Sequence, residues 1–165
     1  PLGERCLLGF GSTSGPPALP DYFYNNLHQI VQTKDTVMIL TEMVHDARII
    51  RMNAQHLPKT VRKWMGDSRG RWEGNTLVVD VTNHTDRTWF DVVGTFHSDA
   101  LHVVERFTFA DAATIHYEAT ISAPKVFTRP WKIAFPIIRN TQGFERLEMA
   151  CHEGERSFGL MLRGQ

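Results

Sequence analysis

Cysteine is scarce in this chain: two residues, Cys6 and Cys151, lie near opposite ends of 165 residues. Two thiols so far apart exclude a zinc site built from closely spaced ligand pairs. Neither sign of charge is in excess, because Lys plus Arg and Asp plus Glu both total 18. That balance removes the basic footprint expected of a nucleic-acid partner or an anionic membrane surface. Long apolar runs are also lacking, and none approaches the roughly 20 residues that a membrane helix needs. No Gly-x-Ser-x-Gly and no credible Cys–His pairing marks a covalent nucleophile. Nothing in the sequence requires a cofactor, and no internal repeat or linker divides it. The chain begins at Pro1 without an initiator methionine or a signal peptide, which reads as a cleaved or trimmed product.

What is present is alternation. At 18.9 kDa the chain has the size of one domain with a real core. The stretch 101–137 reads as three consecutive strands. In the first, Leu101, Val103, Glu105, Phe107 and Phe109 share one face at period two, opposite His102, Val104, Arg106 and Thr108. Glu105 thus occupies the middle of a core face, where an unpaired carboxylate costs several kcal/mol. It is therefore neutral, paired, or in contact with a polar cavity. A structural ion pair or a bulge that turns it outward is the bland reading. A carboxylate at the bottom of a ligand pocket is the functional one.

The second strand, 114–121, places Ile115, Tyr117, Ala119 and Ile121 on one face. Asp111, Ala112 and Ala113 turn between the two strands and make a hairpin. The third, 126–137, aligns Phe127, Arg129, Trp131, Ile133, Phe135 and Ile137, with Pro130 and Pro136 on the other side marking an edge or bulges. Arg129 is then a second charge on an apolar face, and pairing it with Glu105 would satisfy both without a ligand.

Elsewhere, residues 1–26 form an irregular Gly/Pro/Ser-rich arm ending in Tyr22, Phe23 and Tyr24. The segments 27–32 and 36–43 read as a hairpin, with Val37 to Leu40 apolar on both faces and so central and covered. A strand at 47–52 follows the corner that holds His45, Asp46 and Arg48, a turn-fixing cluster or part of a site. Residues 57–66 are expected to be helical, with Pro58 in the first turn, a stripe of Val61, Trp64 and Met65, and Gly66 at the end. Gly74 and Asn75 signal another hairpin. The stretch 83–100, with His84, His97, Asp86, Asp91, Trp89 and Phe90, reads as a long, partly ordered loop suited to gating a ligand. Within it Asn83, His84 and Thr85 match a glycosylation acceptor. A last strand is expected over 144–151 and a short helix over 155–163. The sum is a mainly β single domain, an antiparallel barrel or strongly curved sheet of the calycin-like kind, with eight or nine strands and one or two short helices.

Several segments are specific in their wording: GERCLLGF (3–10), YNN with QIVQT (24–33), EMVHDARIIRM (42–52), MGDSRGRWEGNTLVVD (65–80), LHVVERF (101–107), TRPW (128–131) and ACHEGE (150–155). Together they resemble a family of exported bacterial hypothetical proteins, over nearly the whole chain. Members usually carry a signal peptide and a further N-terminal region. The resemblance therefore implies the C-terminal part of an exported, periplasmic or secreted protein, and favours a Cys6–Cys151 disulfide. It implies no activity and no catalytic residues.

Three functions follow from the residues. A small-molecule-binding barrel would line its pocket with Leu101, Phe107, Tyr117, Trp131 and Phe135, and use Glu105 and Arg129 as polar handles. An enzyme on the same scaffold would draw its acids and bases from Glu105, His45, His102 and His152, with Asp46 and Glu153 beside them. Arg48 or Arg129 would then hold an oxyanion. A structural or interaction module is the third. No metal site is expected: His97, His102, Glu105, His152 and Glu153 are suitable ligands in type, but His102 and Glu105, three apart on a strand, point to opposite faces.

Overall fold

Among the described residues of a computed structural model of the chain, eight strands lie side by side in strict sequence order, so each strand's neighbours in space are its neighbours in sequence. The structure describes residues 16–18, 25–43, 47–90, 94–143, 145–148, 150, 153 and 157–163. The strands are β1 (His28–Gln32), β2 (Thr36–Thr41), β3 (Ala47–Met52), β4 (Asp67–Glu73), β5 (Thr76–Thr82), β6 (His102–Phe109), β7 (Thr114–Ser122) and β8 (Trp131–Ile138). A short helix, α1 (Ser157–Leu162), follows them. The sheet is curled into a half-barrel with β1 and β8 as its edges. Among the described residues no helix is long and apolar enough to cross a membrane.

Local chemistry sets the turns. The Thr33 amide donates to the Thr36 carbonyl at 2.8 Å and closes the β1–β2 hairpin. Gly74, at φ 62°, supplies the left-handed residue of the β4–β5 turn, a conformation that favours glycine. Asp111 accepts the Ala113 amide at 2.7 Å and fixes the β6–β7 turn. Every pairing is antiparallel except β3 with β4, where Ile50 stands beside Ser68 in parallel register. Parallel neighbours need a long crossover, and residues 53–66 provide it.

The period-two alternation puts the core on the concave face. Val37, Ile50, Leu77, Val79, Val81, Val103, Phe107, Tyr117, Ala119 and Ile121 are all buried there. Each fully buried aliphatic or aromatic side chain stabilises the fold by about 1.5–3 kcal/mol. The convex face carries exposed ion pairs instead, such as Lys132 with Glu118 at 2.8 Å and Arg106 with Glu73 at 3.1 Å. Pro136 sits opposite His116 on β8, an edge strand as its prolines indicated.

Four local expectations are corrected. Residues 57–66 are turns and bridge, not helix. Val61 and Trp64 are each 41% exposed, so the apolar stripe has no surface to pack on, and a segment this short is marginal as a helix without one. The third strand starts at Trp131 rather than at 126, after a turn in which the Val126 and Phe127 amides donate to the Ala123 carbonyl. Described residues of 144–151 are not in a strand. Finally β2 is next to an edge, and only its Val37 and Thr41 are buried, so it is not a covered central strand. The 22–24 aromatic cluster lies outside the described residues, although Pro16 and Pro17 of the arm are buried.

Gly70 on β4 faces the concave side, and a Cβ there would lie 2.7 Å from the Met52 sulfur and 2.9 Å from Ile50 Cγ2. The missing side chain is what lets β3 fold inward over β4. Gly70→Ala is expected to lower stability by about 1–3 kcal/mol through overpacking. In urea denaturation this appears as a lower midpoint at unchanged slope; an unmoved midpoint would mean that the curl does not need the gap.

Candidate functional site

Neighbouring strands are spaced about 4.8 Å apart, so three steps from β3 to β6 amount to roughly 14 Å along the sheet. Curling the sheet closes that gap, and Arg48 of β3 meets Glu105 of β6 across it. Arg48 Nη1 donates to Glu105 Oε1 at 3.0 Å, and Nη2 pairs with Oε2. Arg48 Nε donates to the Ser68 hydroxyl at 3.0 Å. The Tyr117 hydroxyl donates to Glu105 Oε1 at 2.7 Å and accepts the Ala18 amide at 2.8 Å. Glu105 is 0% exposed and Arg48 3%. Burial first, then the charge of Glu105 and the hydrogen bond to it, push the Tyr117 phenol well above its ordinary value, so it remains a donor.

The partner of Glu105 is therefore Arg48, not Arg129, which is exposed in the turn before β8. Trp131 begins β8 in a half-buried wall with Ile133, Phe135 and Ile137. Its ring stands 5.7 Å from Phe127 and 6.0 Å from Phe90, while Phe135 lies 5.0 Å from Tyr117. Trp131 Nε1 is buried with no hydrogen-bond partner among the described residues. Leu101 and Phe107 are fully packed in the core. Glu153 is exposed in a turn. His45, Asp46, His152 and both cysteines, with the expected disulfide, lie outside the described residues.

His102 points to the convex face, where it joins a second network. Its Nε2 is 2.8 Å from Asp80 Oδ2, and His56 Nε2 is 2.8 Å from Asp80 Oδ1. His56 Nδ1 reaches Asp67 Oδ2 at 3.1 Å, which also accepts the Leu57 amide at 3.0 Å and the Arg69 guanidinium at 2.9 Å. Burial opposes the charge on Asp67 and on Asp80. Hydrogen bonds from Leu57 and His56 to the former, and from His102 and His56 to the latter, outweigh it and hold both below the usual carboxylate range. These bonds fasten the 53–66 crossover to the sheet. Among the described residues no group of three such side chains is gathered for a metal.

The end of β5 adds a third element that alternation did not reveal. His84 is 1% exposed, and its Nε2 has no hydrogen-bond partner among the described residues. Burial, then the charges of His97 and Arg48, lower it to about 3. It packs over Gly66, whose φ of +64° and lack of a Cβ leave room for the ring. His97 lies 5.8 Å from it and accepts from the Thr88 hydroxyl at 2.7 Å through Nε2. Beside His84 a recess of about 510 Å³ opens between the segments 62–64 and 84–87.

The chemistry available is thus uneven. Glu105 is fully buried and both its oxygens already accept from Arg48 or Tyr117, so it is not open to a substrate for proton transfer. Among the described residues, the groups left unused lie at the half-buried β8 wall and at the recess. Comparison of the chain with family models, curated proteins and solved structures finds no match.

Two outcomes are expected. Arg48→Met, which strands the Glu105 charge, should cost about 3–5 kcal/mol. Adding Glu105→Leu should recover most of that loss, and a double-mutant cycle by chemical denaturation measures the coupling. Strictly additive losses would contradict the pairing.

The second concerns pH. His84 is neutral when folded and takes up a proton when unfolded below its ordinary value of 6.5. Its contribution is complete above that pH and is lost as pH falls toward about 3. His28 and His97, also lowered by burial, act in the same direction. Asp67 and Asp80 contribute above their ordinary value of 3.8 and weaken the fold only below it. Between pH 7 and 5 His84 alone should account for about 2 kcal/mol of lost stability. Denaturant melts at the two pH values should show that share of the slope disappear in His84→Gln, and equal slopes would refute it.

Proposed function

We propose that this half-barrel binds a small, mostly apolar molecule against the β7–β8 side of its concave face. The supporting observation is the Trp131 indole N–H, buried without an acceptor among the described residues, in a wall where Ile133, Phe135 and Ile137 are only partly covered. A buried donor left unmatched costs about 1–3 kcal/mol. A ligand carbonyl or ether oxygen that reaches it removes that penalty while its apolar part covers the wall. The Arg48–Glu105–Tyr117 network serves as the fixed polar floor beneath, in place of the Glu105/Arg129 handle expected from the sequence. Because this floor satisfies its own charges, the ligand in this reading is neutral. The resemblance to exported proteins supports binding outside the cytoplasm.

A second reading, a structural or interaction module, is favoured by the same internal satisfaction of Glu105. Acid–base catalysis through Glu105 is not favoured, for the reason already given.

The two readings separate with Prodan, a neutral, apolar, carbonyl-bearing fluorophore. Binding predicts a saturable blue shift, weakened about fivefold to tenfold in Trp131→Phe by loss of one hydrogen bond. Trp64→Phe should bind as the parent does. No saturable shift, or equal affinity of parent and Trp131→Phe, would leave the module reading standing and defeat this one.

A further inference from the structure

We propose that the recess between segments 62–64 and 84–87 is a separate site for a small, hydroxyl-rich molecule bearing one anionic group, a sugar carboxylate or a sugar phosphate. It lies where β5 leaves the sheet and β6 enters it, and none of its lining residues belongs to the β8 wall. Its volume of about 510 Å³ falls within the range of small-molecule sites, about 300–1,000 Å³.

The charges of the recess are unequally used. Arg62 is spent on Asp99: Nη1 donates to its carbonyl at 2.7 Å and Nη2 to its carboxylate at 3.2 Å. Lys125 takes the other carboxylate oxygen of Asp99 at 2.7 Å. Asp99 is thereby neutralised twice over. Lys63 is half-exposed and reaches Asp67 only at 3.4 Å. Arg87 has no ion-pair or hydrogen-bond partner among the described residues, and it lines the recess. A planar guanidinium with all its donors unused is the group best matched to two oxygens of a carboxylate or phosphate.

Three further features choose the rest of the molecule. Trp64 also lines the recess and is 41% exposed, an aromatic surface available to the C–H face of a ring. Asp86, exposed beside Arg87, accepts hydrogen bonds but repels a second anion. It therefore selects hydroxyl groups and a single negative charge. His84 adds a neutral imidazole, nearly fully buried, with one nitrogen unpartnered among the described residues. Greasy ligands are disfavoured here, because the lining is mainly charged.

The test is a calorimetric or chemical-shift titration of the intact chain with glucuronate, glucose 6-phosphate and glucose, each to about 10 mM, a range that detects millimolar binding. Saturable binding of either anionic sugar, about tenfold or more tighter than glucose, is expected. A response to one anion alone identifies which head group the site takes. Arg87→Ala, a substitution at an exposed side chain, should weaken that binding about tenfold or more. Trp131→Phe should leave it unchanged, which separates this site from the concave face. Equal affinity for all three sugars, no binding by either anion, or unchanged binding in Arg87→Ala would each overturn the proposal.

Discussion

Two opposite charges removed from water and closed on one another fix the shape of this protein. Burying either alone costs several kcal/mol, and their attraction offsets this only if geometry is good and the remaining hydrogen-bonding capacity is filled. Both conditions hold. The guanidinium of Arg48 meets both oxygens of Glu105, and Ser68 and Tyr117 supply the remaining bonds. The participants come from β3, β4, β6 and β7, so half of the strands converge on one carboxylate. In a flatter sheet Arg48 and Glu105 would be parted and left unpaired on an apolar face. The pair thus penalises the alternatives to the half-barrel more than it stabilises the half-barrel itself.

A second polar network works on the opposite face toward the same end. Parallel pairing of β3 and β4 demands the 53–66 crossover, and a stretch without regular structure has to be held by side chains. His56 reaches Asp67 and Asp80 at once, and His102 returns from β6 to Asp80. One network therefore closes the sheet from within while the other straps its parallel crossover from outside. Between them lies β5, whose Val79 and Val81 face the core while Asp80 faces the strap.

Much of this was legible in the residue order. Strict alternation located β6 and β7, their turn, and the inward position of Glu105. The partner was misassigned for a definable reason. Arg129 was counted as a strand residue, but the strand begins after Pro130, so its parity carried no information. Arg48 shares parity with Ile50 and Met52 on β3, and that alternation held the correct assignment. The helix expected at 57–66 failed differently. Pro58 and Gly66 do resemble helix punctuation, yet Gly66 is needed for a left-handed bend under His84. Local signals cannot distinguish the two uses, because the deciding contact comes from a segment far along the chain. His84 itself gave no sign of burial, being surrounded by polar residues.

The closure of the core network also bears on what kind of protein this is. A general acid or base needs an atom left open to its substrate. Glu105 is fully buried, with one oxygen accepting from Arg48 and Tyr117 and the other from Arg48, so no substrate reaches it. Tyr117, held protonated, spends its single proton on Glu105. The feature that looked most like chemistry in the sequence is therefore the part of the fold with least freedom to perform it. Among the described residues, the donors left unmatched lie at its margins instead, in an indole N–H on the edge strand and in a guanidinium that lines a recess. On the proposed reading, a bound molecule would meet those unused donors and not the buried carboxylate.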